Sequence, residues 1–334
     1  LNFIYGDNGA GKSSILEGIY LLARSRSFRN THTRSLIQQG SNEVILFTEV
    51  VAETGQVNKI GVRKQGSRTE IKLNGRQLDR LSDLVTTLTV SLVTPQTHRI
   101  IEEGPEYRRR LLNWGVFHVE HQFRQTVTNY NRILAQRNAA LKAKQTKVEI
   151  WDEQLSQYAE KIVHQHQEYM INWFELIEAL SSGISFLENL QLQYQTGWDS
   201  KFRLIDQLKL KLSLDRGRGF TSVGPHRSDL QIKIDNRPAK EVLSRGQQKL
   251  LMILMMLAQS KLMTQSVGER AIFLIDDFHS ELDKGSQNRV IEQLIDEQCQ
   301  AVITSIDNSL VTGSDRAFEA EMFHVEQGAV QKID

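Results

Sequence analysis

The chain has 334 residues, 41 basic and 40 acidic, leaving a net charge of +1. That balance excludes binding to a polyanion by bulk charge, so any nucleic-acid surface must come from local clustering. A single cysteine, Cys299, excludes a disulfide framework and fits a reducing compartment. The apolar run at 250–258 is too short to span a membrane, and a cytoplasmic protein is expected.

In chain order, Leu1–Tyr5 reads as a strand running into a glycine loop, with no signal peptide ahead of it. Because the chain opens on Leu rather than Met, further native residues are expected before it. The loop "GDNGAGKSS" at 6–14 fits G-x-x-x-x-G-K-[ST]. Gly6, Gly9 and Gly11 let the backbone of Asp7, Asn8 and Ala10 turn N–H groups inward as a nest around phosphates. Lys12 would neutralise β- and γ-phosphate oxygens, and the Ser13 hydroxyl would ligate Mg²⁺. Ser14 follows at the start of an amphipathic helix. A purine nucleotide with Mg²⁺ is the expected ligand.

No acidic residue stands between Glu17 and Glu43, while Arg24, Arg26, Arg29, His32 and Arg34 gather around Phe28. Such a patch suits contacts to a DNA backbone. It equally suits a solvated loop or arginines that serve the nucleotide. Strand-like runs follow at 44–51, 57–63 and 69–73, with turn signals at Gly55, Gly66 and Asn74-Gly75. Arg108, Arg109 and Arg110 form a charge run at a helix start, which reads as a solvated or lobe-bridging face.

No proline occurs between Pro105 and Pro225, and no glycine between Gly115 and Gly183. Apolar residues there recur at helical spacing: Phe123, Val127, Tyr130, Leu134, Leu141, then Trp151, Leu155, Tyr158, Ile162, Tyr169, Trp173, Ile177 and Leu180. The pattern predicts a helical hairpin turning near Lys142–Lys147, with the aromatic stripe as its core. The expected organisation is an α/β domain in two parts, 1–110 and 206–334, interrupted by a helical lobe at 111–205.

In the second part, Ser244-Arg245-Gly246-Gln247 opens a long apolar helix. A capping box, with Ser244 as N-cap and Gln247 at N3, is one reading. A helix N-terminus that faces a phosphate is the other. Further on, "AIFLIDDFHSELD" is an apolar strand ending in two carboxylates. Beside a phosphate loop, Asp276 is placed to hold Mg²⁺ and Asp277 to orient an attacking water. Ser280–Asp283 forms a short turn that suits a subunit contact.

The order phosphate loop, helical insertion, polar-headed helix, acidic strand resembles that of ATP-binding-cassette ATPases. In them "LSGGQ", similar to "LSRGQQK" here, caps the γ-phosphate of ATP held by the opposite subunit. Within that class, "TSVGPHRSDL" (221–230), "GPEYRRRLLN" (104–113) and "GDNGAGKSSILEGIYLL" resemble segments of the RecF family of bacterial recombination mediators. The resemblance spans about 2–310 and implies an α/β ATPase head with an inserted α-helical lobe. It further implies an ATP-dependent homodimer, with Lys12 and Ser13 of one chain and Ser244, Gly246 and Gln247 of the other around each ATP. Slow hydrolysis, double-stranded DNA next to a single-strand gap, and RecR, RecO and RecA as partners are also implied. Arg245 and Thr304 depart from transporter patterns, Asp277 replaces their glutamate, and Gln96 falls near their γ-phosphate-sensing glutamine. The alternatives are an SMC- or Rad50-type head, for which the insertion is short, a transporter's nucleotide-binding subunit, and a nucleotide-switched scaffold.

Overall fold

The computed structural model describes residues 1–29, 36–38, 40–52, 54–66, 68–78, 81–306 and 319–333. These fall into two compact units, 1–97 with 245–334, and 98–244.

The first unit opens with β1 (Asn2–Tyr5) and α1 (Lys12–Arg24), then β2 (Val44–Val51), β3 (Val57–Gln65), β4 (Arg68–Leu73), β5 (Arg76–Gln77), α2 (Leu81–Thr87) and β6 (Val90–Val93). The antiparallel β2-β3-β4-β5 sheet is made by its turns. Asn74 and Gly75 both take positive φ, 51° and 81°, the pair of left-handed residues that a tight hairpin requires.

The second unit contains α3 (Arg99–Glu102), α4 (Pro105–Val119), α5 (Phe123–Lys142), α6 (Asp152–Ser181), β7 (Leu190–Gln195), α7 (Leu204–Arg218), β8 (Asp229–Ile234), β9 (Arg237–Pro238) and α8 (Ala239–Val242). α5 and α6 are the expected hairpin, joined through 143–151, and Phe123, Tyr130, Tyr169 and Trp173 are buried as core. Arg137 is fully buried. It donates to Asp152 at 2.8 Å, and to Asp215 and Thr221 at 2.9 Å each, tying α5 to α6 and α7. The "GPHR" turn is organised locally as well. His226 Nδ1 lies 2.6 Å from the Tyr130 hydroxyl and its Nε2 3.0 Å from Thr221 O. At Gly224, with φ 132°, a Cβ would stand 2.6 Å from that hydroxyl. The arginine run divides: Arg108 grips Asp229 at 2.8 and 3.1 Å and Arg109 donates to Ser228 O at 2.6 Å, while Arg110 is exposed and pairs with Glu106 one turn back.

Returning to the first unit, the chain forms α9 (Arg245–Val267), β10 (Ile272–Ile275), α10 (Lys284–Asp296), β11 (Ala301–Ser305), β12 (Glu321–Glu326) and β13 (Ala329–Ile333). The main sheet has the order β13-β12-β1-β11-β10-β6, parallel except for β13. Ile4, Leu16, Leu22, Val90 and Leu274 bury α1 against it. Leu16 alone, with no exposed surface, contributes about 2 kcal/mol. α9 has 23 residues and contains an 18-residue window with a mean hydropathy of 1.3, enough by length and composition to cross a membrane, yet 72% of that window is buried inside the protein. It is a core helix.

Candidate nucleotide site

β1 and α1 fix the phosphate loop between them. Gly6 sits at φ 150°, where a Cβ would meet Val325 O at 2.3 Å, so only glycine lets the loop pass this close to β12. Gly9 and Gly11 take φ 85° and 114°, conformations that cost residues with a Cβ. Ala10 N donates to Asp7 O at 3.2 Å, and Ala10 O accepts from Gly328 N at 2.9 Å, so the loop is closed and anchored to the β12–β13 turn. Gly11 precedes α1 without a side-chain cap. The first N–H groups of α1, with the positive end of its dipole, therefore point out of the loop toward an anion. Lys12 Nζ donates to Gly6 O at 2.6 Å and Asp7 O at 2.9 Å, which lays the ammonium along the loop.

The acidic strand completes the cleft. β10 lies beside β6 and β11, and Asp276 N donates to Val93 O at 2.8 Å just past the strand end. Asp276 Oδ1 accepts from Ser13 Oγ at 2.8 Å and from Thr304 Oγ1 at 2.9 Å. Thr304 Oγ1 in turn accepts from Asp277 N at 2.9 Å. A hydroxyl and a buried carboxylate meeting at this distance are the hard oxygen donors that Mg²⁺ requires, so the residues fit that ion. Asp277, in a left-handed conformation with φ 51°, faces the same cleft.

The cleft of about 260 Å³ is lined by Asn8, Gly9, Gly11, Lys12, Ser13, Ser14, Arg29, Pro95, Asp276, Asp277, Thr304 and Ile306. That is below the roughly 300–1,000 Å³ of a pocket enclosing a whole ligand. It suits a phosphate tail rather than a complete nucleotide. Gly6, Asp7 and Ala10 build the loop behind it. The arginine patch divides. Arg29 joins the cleft, held by its N–H to Ser27 Oγ at 3.0 Å, while Ser27 donates to Glu17 on α1. Arg24 is half-buried with its pKa lowered by desolvation, Arg26 is exposed, and Arg34 lies outside the described residues. Gln96 is exposed beside Pro95 and does not line the cleft.

Ser244 immediately precedes α9, and Gly246 and Gln247 lie in its first turn. Gly246 abuts the acidic turn so closely that a Cβ would stand 2.3 Å from Glu281 O. The Ser280–Asp283 segment ends as a helix cap: Asp283 Oδ1 accepts from Ser286 N at 2.9 Å, which lowers the carboxyl pKa.

A phosphate nest, an uncapped helix and an acid pair at the end of a parallel strand define a P-loop ATPase head of the ATP-binding-cassette class. The family model described as the RecF/RecN/SMC N-terminal domain matches residues 1–331. DNA replication and repair protein RecF of a Shewanella strain is 36% identical, covering all of this chain and 93% of the relative, and that of Shewanella halifaxensis is 37% identical, covering 92% of the relative. A solved structure of the recombination mediator RecF with ATP, in the RecFOR pathway, matches over the whole chain and 91% of its own, with a TM-score of 0.83 at 27% identity. An SMC head bound to the C-terminal winged-helix domain of ScpA shares the fold, with a TM-score of 0.54 at 16% identity. The chain belongs to the RecF family.

Proposed function

We propose that this protein is an ATP-switched DNA-binding protein of replication and recombinational repair, acting in the cytoplasm as a dimer that closes on ATP. The observation that carries this reading is the convergence of Ser13, Asp276 and Thr304 beside the uncapped start of α1. Lys12 and the loop N–H groups bind the β- and γ-phosphates. Ser13 and Asp276 would hold Mg²⁺, which would supply charge neutralisation. Arg29 adds a cation on the cleft's open side, and the family relationship supports the solved relative's ATP as the ligand.

Asp277 orients the attacking water. As the shorter acid in place of glutamate it does so inefficiently, and turnover is slow. Ser244 and the first turn of α9 cap the γ-phosphate of ATP held by the partner subunit. The closed dimer retains double-stranded DNA near a single-strand gap, where RecR and RecO cooperate with it to load RecA. Arg24, Arg26 and Arg34 remain the proposed backbone contacts, with affinity that falls as salt rises. Velocity sedimentation with and without ATP, on duplex, single-stranded and gapped DNA, tests the reading. A dimer that forms only with ATP and stays longest on gapped duplex supports it, and ATP-independent DNA binding by a monomer refutes it.

A further inference from the structure

Lys249 lies on the second turn of α9 with no exposed surface. Its Nζ donates to Ser280 O at 2.6 Å. Burying an ammonium is costly unless it is paired. Asp276, Asp277 and Glu281 are all close enough to favour its charge, although burial outweighs them and the pKa is lowered.

The turn that Lys249 grips carries Asp277. Ser280 N donates back to Asp277 O at 3.1 Å, and Asp277 and Glu281 both adopt left-handed backbone, φ 51° and 68°. Such conformations persist only where surroundings impose them. Thr304 holds one side of the turn through Asp277 N, while Lys249 holds the other through Ser280 O, and Gly246 lets the start of α9 pack directly against Glu281 O. The start of α9 and the water-orienting carboxylate are therefore two ends of one braced unit within a single chain.

We infer that Lys249 is a positioning residue that couples the two ATP sites of a dimer: when α9 of one subunit caps its partner's phosphate, Lys249 sets that same subunit's own Asp277. The inference rests on the composite-site reading above. In a dimer each site then reports the other's closure, and ATP turnover rises cooperatively with nucleotide concentration.

The test compares wild type, Lys249→Met and Lys249→Arg by thermal unfolding, equilibrium ATP binding to the monomer, sedimentation with ATP, and steady-state hydrolysis. Lys249→Met should keep its ATP affinity and ATP-dependent dimerisation. Its kcat should fall roughly tenfold or more through misplacement of Asp277. Its Hill coefficient should drop from above one to about one. Lys249→Arg, which retains a donor, should recover most of both. Wild-type kcat and cooperativity in Lys249→Met overturn the inference. So does a loss of turnover matched by loss of ATP affinity and thermal stability, because the lysine then only supports the fold. Failure of the wild type itself to dimerise on ATP refutes the composite site instead.

Discussion

Two polar clusters, one in each unit, use the same chemical groups to opposite ends. Around Arg137, a guanidinium, two carboxylates and a hydroxyl are closed on one another and sealed from water. At the end of β10, Ser13, Thr304 and Asp276 meet just as tightly, but the cleft opens beside Lys12 and the bare start of α1. The first cluster has its charges bound to each other, so it serves the fold. The second lies at an open cleft lined by Lys12 and the start of α1, so a ligand can reach it. Hydrogen-bond distances are alike in both; what separates them is access.

The sharpest way to break this contrast is to remove Arg137. Arg137→Met leaves Asp152 and Asp215 buried without their cation, and should cost about 3–5 kcal/mol of stability, read by denaturant unfolding. ATP binding measured at temperatures below the transition should be unchanged. Lys12→Met should do the reverse. It should weaken ATP by roughly a hundredfold, about 3 kcal/mol, in equilibrium binding while the unfolding midpoint barely moves. If both variants lost both properties, the contrast would fail.

Acid supplies a third probe. Burial lowers His226 to about 4 and His166 to about 3, so both are neutral in the folded chain. A depressed folded pKa contributes stability that is present above the ordinary histidine value of about 6.5 and lost as pH falls toward the folded value. Stability of the 98–244 unit should decline from pH 6.5 to 4, by up to about 3 kcal/mol for His226 alone. His226→Gln should flatten that slope in urea titrations at several pH values. The smallest effect is expected at Thr304. Thr304→Val removes one hydroxyl from the acid pair, and should raise the Mg²⁺ concentration needed for ATP binding roughly tenfold, equivalent to about 1.4 kcal/mol.

These contrasts also show which parts of the molecule the sequence discloses. The phosphate loop, the strands at 44–51 and 57–63 and the Asn74-Gly75 turn are local patterns, in which neighbours in sequence dictate the backbone. Two carboxylates ending an apolar strand could be an ordinary loop start, and Asp276 and Asp277 stand out because a phosphate loop precedes them in the chain. Thr304 gives no such local signal. The resemblance marks it only as a departure from the transporter pattern, and its bond to Asp276 comes from strand pairing that brings a distant part of the chain alongside.

Lys249 is concealed for a related reason. Lysine in a long helix usually marks the wet face, and only the packing of α9 reveals that this one is enclosed. The "RRR" run likewise reads as a solvated or lobe-bridging face, whereas Arg108 and Arg109 are bound inward and Arg110 is exposed. Arg29 was open between DNA, solvent and nucleotide on composition alone. The fold of 25–29 against Glu17 is what brings it to the cleft. Leu190–Gln195 falls in the span expected to be a helical lobe, and only its antiparallel pairing with β8 makes it a strand.

The central claim is that each ATP is shared, held by the phosphate loop of one chain and capped by α9 of another. Complementation tests it most directly. Lys12→Met keeps an intact cap and loses the phosphate site, whereas Ser244→Arg keeps the phosphate site and blocks the cap. Sedimentation with ATP should show each variant monomeric alone and a heterodimer when the two are mixed. A mixture that stays monomeric, or a Ser244→Arg protein that dimerises on ATP by itself, contradicts the account.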